Sequence, residues 1–160
     1  MRKQILGPTP NPEDNTPTGA LHIPLIATAL ITSESLAFPV ENMFDRQGGP
    51  GGSRWQASTP GEQTLILAFD TPQHISKICL EVEETQVSRT QDLCLSASRD
   101  GGKTYGEVVR QEYHFSPQGA TFQREQWAVN LEHITHLRLV IKPDKGNPAA
   151  YATCTTLALY

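Results

Sequence analysis

The chain has 160 residues, 38% of them hydrophobic and 19% charged, with a formal net charge of −4. That length suits one domain with a sizeable core. The charge leaves no global basic field for a polyanion such as nucleic acid, and the longest apolar stretch, "ALHIPLIATALI", is broken by Pro24 and falls short of the ~20 residues of a membrane span.

Residues 1–19, "MRKQILGPTPNPEDNTPTG", are rich in Pro, Asn, Thr and Asp. With so few apolar side chains to offset the entropy of ordering, they are expected to form a disordered or extended tail. The basic start runs into prolines after Ile5 and Leu6, unlike a secretory signal. The folded domain is expected over 20–160. Cys79, Cys94 and Cys154 are odd in number, show no CxxC spacing and sit in apolar runs, so they read as reduced core residues. The expected location is cytoplasmic, with leaderless export or a phage particle left open.

"LHIPLIATALITS" reads as a first strand at an edge or bulge, because of Pro24. "PVENMFD" reads as one short helical turn with Pro39 near its start. In "TLILAFD", Thr64, Ile66 and Ala68 face one way and Leu65, Leu67 and Phe69 the other. "TPQH" is expected to turn, and "ISKICLEVEE" to run as a strand with Ser76, Ile78, Leu80 and Val82 buried and Glu81 and Glu83 on a solvated face. "DLCLSAS", "RDGGK" and "TYGEVVRQEYHF" predict a hairpin, the Asp-Gly-Gly supplying the positive φ angles of its turn. "SPQGAT" is a further turn. "FQREQWAVNL", "ITHLRLVIKP" and "YATCTTLALY" are the closing strands, with Trp127 in the core. Helical periodicity is almost absent. The fold class is therefore all-β, an antiparallel β-sandwich or barrel.

Four stretches, in this order, resemble the discoidin family, or coagulation-factor C-type domain, a branch of the galactose-binding-like jelly rolls. They are "VENMFDRQGGPGGSRWQAS", "QTLILAFDTPQHISKICLEV", "LSASRDGGKTYGEVV" and "ITHLRLVIKPDKGNPAAYATCTTLALY". The resemblance covers about Ile31 to Tyr160. It implies an eight-stranded jelly roll whose loops at one end bind ligands, most often sugars.

The glycine-rich "QGGPGGS" heads for a strand rather than a helix, contains Pro50 and lacks Lys-Ser/Thr, which argues against a nucleotide site. No cofactor is expected to be required. By the resemblance, Asp45 helps hold a structural calcium with loop carbonyls from Arg46 to Gly52 and a residue near Thr156, although Thr156 brings no carboxylate. Alternatively, Asp45 caps its own loop backbone. Trp55 is expected to pack into the base of the sandwich, and Arg54 to face a ligand or pair with Asp45 or Glu41. The loops that the family gathers at its ligand end place Phe38, Arg54, Glu84, Gln86 and Arg89 as the candidate binding residues. No GxSxG, HExxH or CxxC motif occurs, and His133 and His136, three apart on a strand, face opposite ways. The expected function is non-catalytic binding of a carbohydrate or other polar small ligand. The alternative is a structural or protein-interaction subunit of a larger assembly.

Overall fold

The chain is described here from a computed structural model covering residues 19–160; all but the last residue of the expected tail lies outside the described residues. Alternating apolar residues and frequent turn formers give eight strands. These are β1 (Ala27–Ile31), β2 (Trp55–Gln56), β3 (Gln63–Glu83), β4 (Arg89–Ser98), β5 (Gly106–Phe115), β6 (Phe122–Lys142), β7 (Thr153–Cys154) and β8 (Thr156–Leu159). A one-turn helix, α1 (Ile23–Ile26), precedes β1, and a 3-10 helix, Val40–Phe44, follows it.

The expected first strand is thus shortened: Pro24 begins a helical turn instead of a bulge, because its fixed φ suits a helix start. "PVENMFD" forms its helical turn as the 3-10 helix, burying Val40, Met43 and Phe44.

Two strands of 21 residues build the sandwich. The first part of β3 pairs with β1 on one side and with the end of β6 on the other, and β6 continues the layer to β4 and β5. The second part of β3 pairs with the first part of β6 and with β8, forming the facing layer. All pairings are antiparallel.

"TPQH" was expected to be a turn; it is instead the point where β3 changes layer. Register shifts fall between Ala68 and Gln73, Gln73 and Ile75, and Ile75 and Lys77, and on the facing strand His133 takes a φ of 57°. Irregular pairing of this kind bends a strand without ending it. The same device joins the two last expected strands, "FQREQWAVNL" and "ITHLRLVIKP", into β6.

Leu65, Leu67 and Phe69 point into the core, as do Ile78, Leu80 and Val82, whereas Ser76 is exposed. The hairpin of β4 and β5 forms as its turn residues require, with Gly101 and Gly102 at φ of 77° and 84°. Trp55 is buried, and its indole N–H donates to Ser33 O at 3.0 Å. Trp127 is half-buried and packs against the core. Cys79 and Cys154 are buried free thiols, but Cys94 is not a core residue: on the outer face of β4 its thiol lies 3.4 Å from Glu107 Oε1. Among the described residues no helix is long and apolar enough to cross a membrane.

Candidate functional site

At one end of the sandwich the loop before β2, the loop between β3 and β4, and the loop between β6 and β7 surround a cleft of about 480 Å³. Four residues expected from sequence line it: Arg54, Glu84, Gln86 and Arg89. The fifth, Phe38, lies behind Arg54, whose guanidinium carbon stands 4.5 Å over the ring centre.

Backbone bonds fix Arg54 where the glycine-rich loop re-enters the sandwich. Asn42 Nδ2 donates to Arg54 O at 3.0 Å, and the next residue is the buried Trp55. The Gln56 N–H donates to Phe38 O at 3.1 Å, holding the ring segment against the same strand. The guanidinium itself bonds to no acceptor among the described residues, and its Nε is fully buried. Neither expected ion pair, with Asp45 or with Glu41, forms. A buried donor left unmatched costs roughly 1–3 kcal/mol, and the rest of the Arg54 side chain lines the cleft.

Arg89 has the opposite character. It is 4% exposed and its donors are spent on the protein. Nε donates to Glu84 Oε1 at 2.8 Å, and Nη1 donates to Gln91 Oε1 at 2.8 Å and to Pro143 O at 2.7 Å. Its guanidinium also lies 5.0 Å from the ring centre of Phe115. Glu84 accepts a second bond, from the Gln86 N–H to Oε2 at 3.0 Å, and Gln86 Nε2 donates to Thr85 Oγ1. Arg89 and Glu84 therefore hold two of the cleft's loops in place, and the face they leave to a ligand is small.

Sequence reasoning did not select Tyr151, Glu83 or Asn147, which also line the cleft. Tyr151 is 45% exposed. The signal available for it was an aromatic placed in a Pro- and Asn-containing loop with no strand alternation to bury it. Asp144, at the rim, accepts the Gly146 N–H at 3.0 Å.

Asp45 and Thr156 lie on another side of the loop. Asp45 Oδ1 accepts the Gln47 N–H at 2.9 Å and Oδ2 the Ser53 hydroxyl at 2.5 Å, an Asx-type cap on its own loop. Thr156 pairs in register with Glu81. Glu81 is not on a solvated face as expected but is 7% exposed, and its Oε2 accepts the Gly49 N–H at 2.8 Å. The loop groups that meet carboxylates here are the N–H donors of Gly49 and Gly51. Among the described residues no three His, Cys, Asp or Glu side chains gather as a metal site.

No family model matches the chain, and no curated protein matches it. Solved structures do. The family 32 carbohydrate-binding module of NanJ from Clostridium perfringens, in complex with galactose, aligns over 83% of this chain and 92% of its own, with a TM-score of 0.53 and 17% identity. The module of AlyQ, in complex with 4,5-unsaturated mannuronic acid, aligns over 84% and 95%, with a TM-score of 0.57 and 18% identity.

The chain has the galactose-binding-like jelly-roll fold. A Ruminococcus gnavus GH29 fucosidase in complex with fucose shares this jelly roll at a TM-score of 0.64 and 8% identity, over 84% of this chain. There the match spans only 25% of the fucosidase, so the jelly roll is a fraction of that protein's length.

Proposed function

We propose that this jelly roll is a non-catalytic module that binds carbohydrate in the cleft between Arg54 and Tyr151. The observation that carries the reading is Arg54: a guanidinium held on the Phe38 ring in the wall of a concave cleft. A sugar suits that wall. Its hydroxyl oxygens accept from the planar fork of Arg54, its hydroxyl protons reach carboxylate oxygens at Glu83 or the rim, and its C–H face packs on the Tyr151 ring. Solved jelly rolls of similar shape carry galactose or an unsaturated uronic acid.

The same residues give no acid–base pair for catalysis. Glu84 is held by Arg89, and Asp144 and Glu83 accept backbone N–H groups. The reading is tested by glycan-array binding followed by calorimetry with galactose, fucose and a uronic acid. Saturable binding to at least one sugar, weakened by Arg54→Ala and by Tyr151→Ala, is the expected result. Flat titrations across the array, or binding unchanged in both variants, overturn it.

A further inference from the structure

The glycine-rich loop meets β3 through carboxylates at a matched spacing. Gly49 N–H donates to Glu81 Oε2 at 2.8 Å, and Gly51 N–H donates to both oxygens of Glu83 at 3.2 and 3.0 Å. Two glycines two residues apart thus find two glutamates two residues apart, which the period of a strand places on one side.

Two of the loop carbonyls are occupied within the loop. Gln47 O accepts the Ser53 N–H at 3.1 Å, and Gly49 O accepts the Gly52 N–H at 2.9 Å. Gly48 passes so close to β3 and β8 that an added Cβ would overlap the Thr156 hydroxyl and the Glu81 carboxylate. On its other side Glu81 Oε1 lies 3.6 Å from Arg124 Nε.

We infer that Glu81 and Glu83 close this loop as built-in anions, at the place where the family resemblance implies a calcium, and that the domain folds and positions Arg54 without a divalent cation. A calcium loop turns oxygens inward and depends on the ion to offset their mutual repulsion. Here the polarity is reversed. Backbone N–H groups point at carboxylates, and each bond to an ionised acceptor is of the stronger, charge-assisted kind. The residues that would have supplied oxygens are already used: Asp45 caps Gln47 and Ser53, and Thr156 is a neutral hydroxyl packed beside Gly48. Glu81 and Glu83 are positioning residues in this arrangement. They hold the loop whose last residue before β2 is Arg54.

Thermal melts of the full chain in millimolar calcium chloride and in excess EDTA test this without reference to any sugar. The two melting temperatures are expected to coincide, and a calorimetric titration with calcium alone to be flat. A saturable calcium heat, or a melting temperature raised by calcium and returned by EDTA, overturns the inference. Glu83→Ala is expected to lower the melting temperature by at least about 2 °C equally in both buffers, because it removes a charge-assisted bond from a domain of this size. Melting of both Glu83→Ala and Glu81→Ala at the wild-type temperature also overturns it. Because the readout is melting, failure here leaves the carbohydrate reading standing, and failure of sugar binding leaves this inference standing.

Discussion

The guanidinium carbon of Arg54 stands 4.5 Å over the ring centre of Phe38, and its Nε is buried with nothing to accept its hydrogen. A ring face under a guanidinium holds the fork still without using its N–H groups. The arrangement holds the arginine rigidly in the wall of the cleft.

Arg54→Ala should weaken sugar binding at least tenfold, equivalent to ~1.4 kcal/mol, while leaving the melting temperature unchanged or slightly raised. Arg54→Lys should recover little of the loss, since an ammonium cannot reproduce the fork. Titration calorimetry beside a thermal melt separates the two effects. Equal loss of affinity and of stability would place Arg54 among the structural residues instead.

Arg89 should behave the other way. Its alanine variant strands the Glu84 carboxylate and unties the β3–β4 loop from Pro143. Breaking a buried pair of this kind costs roughly 3–5 kcal/mol, or about 6–20 °C in melting temperature for a domain of this size. Differential scanning calorimetry measures it. A drop below a few degrees would mean that the network contributes little beyond geometry.

The hairpin turn should respond to acid. Asp100 accepts from Ser98 Oγ at 2.7 Å, from Thr104 N at 2.9 Å and from Thr104 Oγ1 at 2.6 Å. The Thr104 bonds, with that from Ser98 added, hold its carboxyl well below the ordinary value of 3.8. A depressed folded value means that the contribution is fully present above pH 3.8 and is lost as pH falls below it toward the folded value. Asp100→Asn should therefore melt below wild type at pH 6, and the gap should narrow as the pH is lowered through 3.8. Melts over that range check it. A gap independent of pH would assign the effect to shape, not charge.

Thiol labelling should follow burial. Cys154 is wholly buried, and desolvation pushes its thiol up to about 12, leaving almost no thiolate at pH 8. Cys94 should therefore react first with iodoacetamide, and Cys79 and Cys154 only on unfolding, as peptide mapping would read out. Because burial raises the folded value of Cys154 above its ordinary 9, its share of stability is intact below pH 9 and declines between pH 9 and 12.

How much of this was legible in the residues differs from place to place, for physical reasons. The "RDGGK" hairpin was readable because positive φ demands glycine locally. Leu65, Leu67 and Phe69 were readable because one face of a strand is buried at a period of two. The continuity of β3 through "TPQH" was not: a Pro-containing polar stretch looks the same whether it reverses the chain or bends it between two layers. Glu81 was hidden for a similar reason, since alternation assigns it to the solvent side and only the long-range approach of Gly48 and Gly49 covers it. Within the cleft, Arg54 and Arg89 look alike in sequence. The acceptors set around Arg89, Glu84 and Gln91 nearby in sequence and the carbonyl of Pro143 brought in by the fold, separate it from Arg54.

The placement of β8 carries a further consequence. Leu157 and Leu159 pair with Leu80 and Ile78 in the second part of β3, and the Leu21 N–H closes onto Leu159 O at 2.7 Å. A growing chain on the ribosome presents that stretch of β3 long before the strand that covers it has been made. Until β8 has been made, an apolar, hydrogen-bond-hungry sheet edge lies open, the kind of surface to which nascent chains bind one another or a chaperone. Expression of this domain should therefore depend on how the cell manages translation and chaperone supply, with β8 acting as the latch.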